Sequence, residues 1–403
     1  MNEVANMIDT ITLIIKPPFF KITDGSVFTP HIDELRKQRF GRHPMLRAVL
    51  NPLKTGYKRV YLPFLTFTLR ASENHIEEEL RVEFSAPKML FLENVQEVDE
   101  KDFGLLTQRL KEKLEGTGIF FPPDYLPHAE VSKIHFCKNI VLDNFISANY
   151  VISKLARFDV PKSLDFNQKR FDNSGRALYL YSKTHHFVIY DKVFDLNRPG
   201  NRGVDRDKTL FQKSLFDYLQ KEKEPLEILR LEVRLTQKQK LASILKKSGV
   251  VLDTPRFKSL FKKEISRKVI MFYWNNCFRD TKYRFLLSQS KKSDDLVNDI
   301  FNYLKHDSNQ TKSKIIQYKI AFSLLGFYLY AQQNGVRSLR NVIERSFNKR
   351  TWFRANKDFE MLSKALENNK KEDFMSRIEE ALEKFETYKP NFRLDYVNES
   401  ILK

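Results

Sequence analysis

Alternation of apolar and polar residues at period two most restricts what this chain can fold into. It recurs in short runs up to about residue 235 and is absent beyond residue 245. The runs are Ile8–Ile15, Val60–Arg70, Glu79–Phe84, Glu130–Ile140, Ala177–Lys183, Phe187–Val193 and Ile228–Leu235, all rich in Val, Ile, Phe and Tyr. Helical patterns fall between them at about 97–115, 142–157 and 207–222, and Asp195–Arg206 reads as a loop. From about 246 onward the period becomes helical, with segments near 254–267, 292–305, 312–333, 336–347, 351–368 and 371–388. Strands followed by helices predict an α+β class. We expect an antiparallel-rich sheet domain over 1–245 with helices on one face, then an all-helical basic domain over 246–403.

Composition narrows the partner. The 403 residues carry 70 Lys and Arg against 51 Asp and Glu, a surplus of 19 positive charges. A hydrophobic content of 41% excludes a disordered chain. The surplus points to a polyanion, nucleic acid before an acidic membrane surface, although Lys-rich composition also follows from an AT-rich genome. No apolar run reaches the roughly 18 residues that a membrane span requires, so no membrane partner is expected. The opening segment has no basic lead and carries Asp9 inside its apolar run, so it reads as a strand rather than a signal peptide. Cys137 and Cys277 are too few for a disulfide framework or a zinc site, which fits a reduced, cytoplasmic protein.

Successive strand residues face opposite sides of a sheet, so each run sorts its own chemistry. Leu229, Leu231, Val233 and Leu235 oppose Arg230, Glu232 and Arg234. Phe187 and Ile189 oppose His186, Tyr190 and Lys192, with Val188 among them; Leu178 and Leu180 oppose Tyr179, Tyr181 and Lys183. Leu80, Val82 and Phe84 oppose Arg81 and Glu83, and Ile134 and Phe136 oppose Lys133 and His135. A half-solvated antiparallel sheet explains the alternation by itself. The choice of residues suggests more: phenols, imidazoles and isolated carboxylates among cations could hold a phosphate backbone, a nucleophile and a divalent cation together. A phenol is a weak nucleophile at its ordinary pKa near 10, until a metal or cation eases its ionisation.

These residues resemble a known family. Met7-Ile-Asp-Thr-Ile-Thr-Leu13 is similar to the start of the gene II/X replication proteins of filamentous phages. Val82-Glu-Phe-Ser-Ala-Pro-Lys-Met-Leu90 resembles their "VEI…SPAKVL" segment, and Ser132-Lys-Ile-His135 falls where they have Ser-Arg-Ile-Asp. Ser182-Lys-Thr-His-His-Phe-Val-Ile-Tyr-Asp-Lys192 resembles "SRhrtLvaYlK", and Leu231-Glu-Val-Arg234 resembles "FEAR". The layout is also similar to that of plasmid rolling-circle initiators of the Rep_trans type. The likeness lies in the order and spacing of these motifs over residues 7–235.

The resemblance implies rolling-circle initiation: one DNA strand is nicked at an origin, a 5′-phosphotyrosine holds the protein to it, and a 3′-OH is left for polymerase. By position Tyr190 matches the phage nucleophile, with Lys192 placed to hold the scissile phosphate. Tyr179 matches the tyrosine of the plasmid proteins, and Tyr181 shares its face, so the attacking residue stays open. Glu232, then Glu83, would hold Mg²⁺ or Mn²⁺, unless Glu232 only pairs Arg230 or Arg234. His135 stands where the family has Asp; imidazole suits Mn²⁺ or a base. His185 and His186 are adjacent and face opposite ways, so they do not form the i, i+2 histidine pair of HUH nucleases. On the sheet, DNA would meet Lys183, His186, Arg230 and Arg234.

The helical region carries its own signal. Val336–Lys357 holds Arg337, Arg340, Arg345, Lys349, Arg350, Arg354 and Lys357 against one acid, Glu344, a net of +6. Gly335 precedes it and Asn348 divides it, which suggests a helix-turn-helix DNA interface built from Arg340, Arg345, Lys349, Arg350, Arg354 and Lys357. Thr351, Arg354 and Lys357 also match the "sTYYRhrk" segment of the phage family, with Trp352 and Phe353 in place of its two tyrosines. The alternative is a solvated basic helix with Trp352 in the core. Ile315–Gln332, with Phe322, Leu324, Leu325, Phe327 and Leu329, reads as the core helix of this domain. The expected protein is an origin-specific, metal-dependent DNA nickase and strand transferase of a phage, plasmid or integrated element, working with a host helicase and polymerase. The competing expectation is a non-catalytic DNA-binding or regulatory protein; RNA binding is less favoured, because no RNP-type run is present.

Overall fold

A computed structural model describes residues 7–40, 44–56, 62–71, 75–142, 146–172, 174–196, 226–281, 284–288, 293–306, 314–367 and 374–389. Its strands are β1 (Ile8–Ile15), β2 (Lys21–Ile22), β3 (Phe28–Thr29), β4 (Met45–Leu50), β5 (Phe64–Ala71) and β6 (Ile76–Ser85). They continue with β7 (Ile119–Phe120), β8 (Glu130–Leu142), β9 (Gln168–Asp172), β10 (Ala177–Tyr181), β11 (His185–Asp191) and β12 (Glu227–Leu235). Ten of them form one sheet in the order β3-β4-β5-β6-β1-β8-β12-β11-β10-β9, and β2 pairs β7 separately. The fold is α+β, as expected.

Directly opposed residues share a face, and the register keeps the apolar set together: Leu13 faces Val82, Phe136 faces Val233, and Ile189 faces Leu231. All six are fully buried, and each contributes roughly 1.5–3 kcal/mol relative to exposure. Phe257 packs edge-on against Phe84 at 5.8 Å and Phe103 at 5.0 Å, so the helices Phe103–Glu115 and Phe257–Leu260 meet on this face. The opposite face collects Asp9, His135, Arg230, Glu232 and Arg234, whereas Lys138 on β8 and Asp191 on β11 lie on the apolar side, opposite Leu231 and Leu229.

A bulge shapes that second face. Ile8 pairs Phe136 but Ile11 pairs Ile134, so β1 carries one extra residue between them. The extra residue inverts the alternation: Ile8 is on the apolar side before it, Ile11 and Leu13 after it. Asp9 and Thr10 thereby both belong to the polar side.

The chain divides into two compact units, one comprising residues 1–144, 183–270 and 384–403, the other 145–182 and 271–383. This differs from the expected boundary at 245/246. Residues 246–270 belong with the sheet because Phe257 seals its apolar face. Residues 145–182 belong with the helices: Lys154 Nζ donates to Gln332 Oε1 at 2.6 Å, Phe158 meets Phe278, and Phe166 meets Tyr273. The core of the helical unit includes Leu324, Tyr328, Leu339, Trp352, Phe359 and Leu362.

Other differences have local causes. β11 stops at Asp191 rather than Val193, because the Asp191 carboxylate accepts the Phe194 N–H at 2.9 Å and starts the helix Lys192–Leu196. Lys192 is therefore not on the strand. β10 likewise ends at Tyr181, which leaves Lys183 exposed beyond it. β2, β3 and β7 are two residues long, and β9 (Gln-Lys-Arg-Phe-Asp) has no apolar alternation to reveal it. The helix Lys238–Lys247 follows β12 where none was expected. Ile315–Gln332 lies within the helix Lys314–Asn334, yet Phe322 and Leu329 are exposed, because a helix apolar all round cannot bury every side. The helix expected at 207–222 and most of the Asp195–Arg206 loop lie outside the described residues, as do residues 60 and 61 of the Val60–Arg70 run. No helix among the described residues is long and apolar enough to cross a membrane.

One buried ion pair holds the sheet unit's last described segment in place. Lys138 Nζ lies 3.0 Å from Glu97 Oε2, both buried, and Lys138 also donates to the Glu386 carbonyl. Glu97 further accepts the Tyr388 N–H at 2.7 Å and the Asn139 N–H. Removing one partner leaves the other charge buried alone. Glu97→Ala should therefore cost about 3–5 kcal/mol in urea denaturation, whereas a loss below 1 kcal/mol would mean that the pair is not closed to water.

Candidate functional site

On the polar face, β11, β12, β8 and β1 run side by side, and their registers place Tyr190 opposite Arg230, Glu232 opposite Cys137, and Arg234 opposite His135. Glu232 is the hub. Its Oε2 accepts the Tyr190 hydroxyl at 2.9 Å, and its Oε1 lies 3.1 Å from His135 Nδ1. Arg234 donates to both oxygens, Nε to Oε1 at 2.8 Å and Nη2 to Oε2 at 3.3 Å.

Behind this hub, Arg230 is wholly buried. Its Nη1 donates to the Asn94 carbonyl at 2.7 Å, and its Nη2 lies 2.9 Å from Cys137 Sγ and 3.5 Å from Asp9 Oδ1. Asp9 also accepts the Thr10 hydroxyl at 3.2 Å. Lys192, equally buried, donates to Asn94 Oδ1 at 2.9 Å, and its ammonium sits 5.9 Å from the centre of the Tyr190 ring. Asn94 thus anchors both cations.

Burial tends to raise the pKa of Glu232, but Arg234, the His135 hydrogen bond and Arg230 outweigh it and hold the carboxyl well below its usual range. Burial, then the charge of Glu232, push the Tyr190 phenol well above its ordinary value. Burial, then Arg230, lower Lys192 to about 8.

Asp9, His135 and Glu232 each offer a ligand atom, all within 4.8 Å of one another. His135 Nε2 is buried without a hydrogen-bond partner, which costs free energy unless something meets it. Two carboxylate oxygens and one imidazole nitrogen suit Mn²⁺ or Mg²⁺. These residues fit such an ion. Asp9 was not anticipated, although it is the one charge inside the apolar run of β1.

Other expected residues lie elsewhere. Glu83 is on β6, where it accepts from Lys133 Nζ and the Thr12 hydroxyl, both at 3.1 Å. It borders a separate groove of about 460 Å³ among Thr12, Arg47, Arg81, Lys133 and Lys238. Tyr179 and Tyr181 are half-buried on β10, opposite Arg170 and Gln168, with the Arg170 guanidinium 5.2 Å from the Tyr179 ring centre; neither joins Glu232. His186 is half-buried opposite Arg234. Arg230 corrects an expectation: with no exposure, it cannot meet DNA.

In the helical unit, Val336–Ser346 and Lys349–Glu367 are joined by Phe347 and Asn348, and Asn348 Oδ1 accepts the Thr351 N–H at 2.9 Å. Gly335 adopts φ +80°, where a Cβ would lie 3.0 Å from the Arg157 carbonyl oxygen. Trp352 is in the core, as the alternative had it, with the Arg340 guanidinium 6.0 Å from its ring centre. Arg340 pairs Glu344 at 2.9 Å, while Arg345, Lys349, Arg350, Arg354 and Lys357 are exposed.

Comparisons with protein-family models, curated proteins and solved structures give no match.

Two guanidinium groups already balance Asp9 and Glu232, so the geometry also suits a closed ion network. Mn²⁺ distinguishes the two: saturating metal should raise Tm by several degrees, since a ligand at 100 times its Kd adds about 2.7 kcal/mol. Asp9→Asn and Glu232→Gln should abolish the shift; a wild-type Tm indifferent to Mn²⁺ would leave only the ion network.

Glu93, beside Asn94, supplies a pH test. Burial pushes its carboxyl up to about 7, against the opposing N–H groups of Val95 and Gln96. The folded state then holds a proton that the unfolded chain releases near pH 4.5, so stability falls as pH rises from about 4.5 to 7, by about 3 kcal/mol. Glu93→Gln should remove that part of the slope in urea titrations at pH 5 and pH 8. An unaltered slope would mean that Glu93 is ionised in the fold.

Proposed function

We propose that this protein is a metal-dependent DNA nickase and strand transferase that initiates rolling-circle replication through a 5′-phosphotyrosine. The observation that carries the reading is the hydrogen bond from the Tyr190 hydroxyl to Glu232, within the same cluster as Asp9 and His135. The order of the phage-like motifs over residues 7–235 supports it.

In the proposed reaction the Tyr190 oxygen bonds to the scissile phosphorus, the P–O3′ bond breaks, and the released 3′-oxygen takes a proton to become the 3′-OH. The phenol's own proton leaves along the hydrogen bond to Glu232. That transfer is uphill here, because the phenol is pushed up and the carboxyl held down. The cations around the ring, Lys192 and the Arg230 guanidinium, reduce the cost by favouring phenolate. Arg234, half-exposed beside Glu232, would meet a phosphate oxygen. A divalent ion held by Asp9, His135 and Glu232 would supply charge neutralisation on the phosphate. Religation after replication is the reverse displacement by a 3′-OH.

The burial of Tyr190, 8% exposed, favours a second reading. In it the protein binds DNA without cutting, and Tyr190 only satisfies Glu232. Incubation with supercoiled origin DNA and Mn²⁺ separates the two. Nicking activity should yield an open circle covalently attached to protein, with the adduct mapped to the Tyr190 peptide and lost in Tyr190→Phe. Adduct on Tyr179 or Tyr181 would move the nucleophile to β10. Folded protein that binds the DNA yet forms no adduct would establish the binding-only reading.

A further inference from the structure

The helix Lys349–Glu367 has one face in the core, through Trp352, Ala355, Phe359, Leu362 and Leu366. The opposite stripe, at i, i+3, i+4 and i+7, is Arg350, Phe353, Arg354 and Lys357, all exposed. Among the described residues none of these three cations makes an ion pair. Phe353 is 68% exposed in their midst, and Phe347, at the turn before the helix, is 72% exposed. These are the two most exposed aromatic rings among the described residues.

A solvated helix explains the cations but not rings left bare among them. A protein partner's apolar pocket would accept the rings but gains little from three unpaired positive charges. A polyanion with planar apolar faces uses both features. Within a duplex those faces are stacked on one another, and a phenyl ring has no hydrogen-bonding group with which to read the base edges that remain. Unpaired bases offer their faces freely. Arg350 and Lys357 lie about 10 Å apart along the helix axis, with Phe353 between them, so consecutive phosphates of one strand can be held while a base is stacked.

We infer that Phe353, with Phe347 beside the turn, is a base-stacking platform, and that this helix holds unpaired DNA rather than the major groove of a duplex. The inference rests on the reading of this protein as one that acts on DNA. It adds that the helical unit takes a melted or looped segment, the form in which a strand is open to cleavage.

The test uses the full chain, without Mn²⁺, and fluorescein-labelled oligothymidylate or a duplex of equal length, followed by anisotropy. Phe353→Ala should weaken single-strand binding by roughly 5- to 150-fold and leave duplex binding unchanged. Phe353→Trp should restore it. Replacing Arg350 and Arg354 by Gln should lower the single-strand salt slope by about 1.4. Equal loss on both DNAs would overturn the proposal in favour of duplex-groove contact; no loss on either would return the rings to an apolar partner. Because no cleavage is measured, failure of the nickase reading shows in the adduct assay and leaves this result standing.

Discussion

The buried carboxylate of Glu232 is the interaction on which the rest of the polar face depends. A carboxylate withdrawn from water loses several kcal/mol of solvation unless it is paired and hydrogen-bonded. Here the compensation comes from three side chains on three adjacent strands: His135 on β8, Arg234 on β12 itself and Tyr190 on β11. All three meet at the Glu232 carboxylate, so it ties the middle of the sheet across its strands. Burial works against the charged form, but Arg234 and the His135 hydrogen bond outweigh it and hold the carboxyl well below its usual range. A carboxylate kept in that form, beside an imidazole nitrogen with no partner, is chemically ready for a cation.

The second layer of the cluster explains how ordinary backbone supports it. Asn94, just beyond the helix Ala86–Phe91, meets Arg230 with its carbonyl and Lys192 with its side chain. It fixes two buried cations from outside the sheet. Lys192 reaches that position because Asp191 ends β11 and begins a helix, turning the next side chain inward. Asp9 arrives through the bulge in β1. The bulge places Asp9 on a face that unbroken alternation would have denied it, and the strand end carries Lys192 into a helix while keeping it beside Tyr190. Bulges recur beside functional sites because they re-aim side chains.

In the helical unit the division between core and surface is sharp along Lys349–Glu367. Trp352 goes inward, and Phe353, one residue on and about a third of a turn away, stays in water among cations. The positive surplus of the chain is thus partly local and structured: a short stretch of two helices presents unpaired charge and bare rings together. On the sheet, by contrast, several of the cations are consumed internally. Arg230 and Lys192 are structural neighbours of the cluster rather than surface for a nucleic acid.

How much was legible in the sequence follows from the range of the forces involved. Period-two alternation located β1 at its observed limits and marked β6, β8, β11 and β12 closely, because burial of one face is a local rule. The two helices Val336–Ser346 and Lys349–Glu367 were equally readable from Gly335, Asn348 and the helical period. Glu232, His135 and Tyr190 were selected because isolated polar residues of those types stood out on otherwise apolar strands. Asp9 was visible as a charge in an apolar run but gave no hint of its partners. The sequence by itself determined which faces are apolar and which residues are chemically conspicuous, since both depend on neighbours a few positions away. Only the tertiary structure decided that Asp9 joins Glu232, that Glu83 does not, and that Arg230 and Lys192 are buried. Those outcomes depend on strand order, a one-residue bulge and an Asp-capped helix, which bring together side chains as much as 221 positions apart.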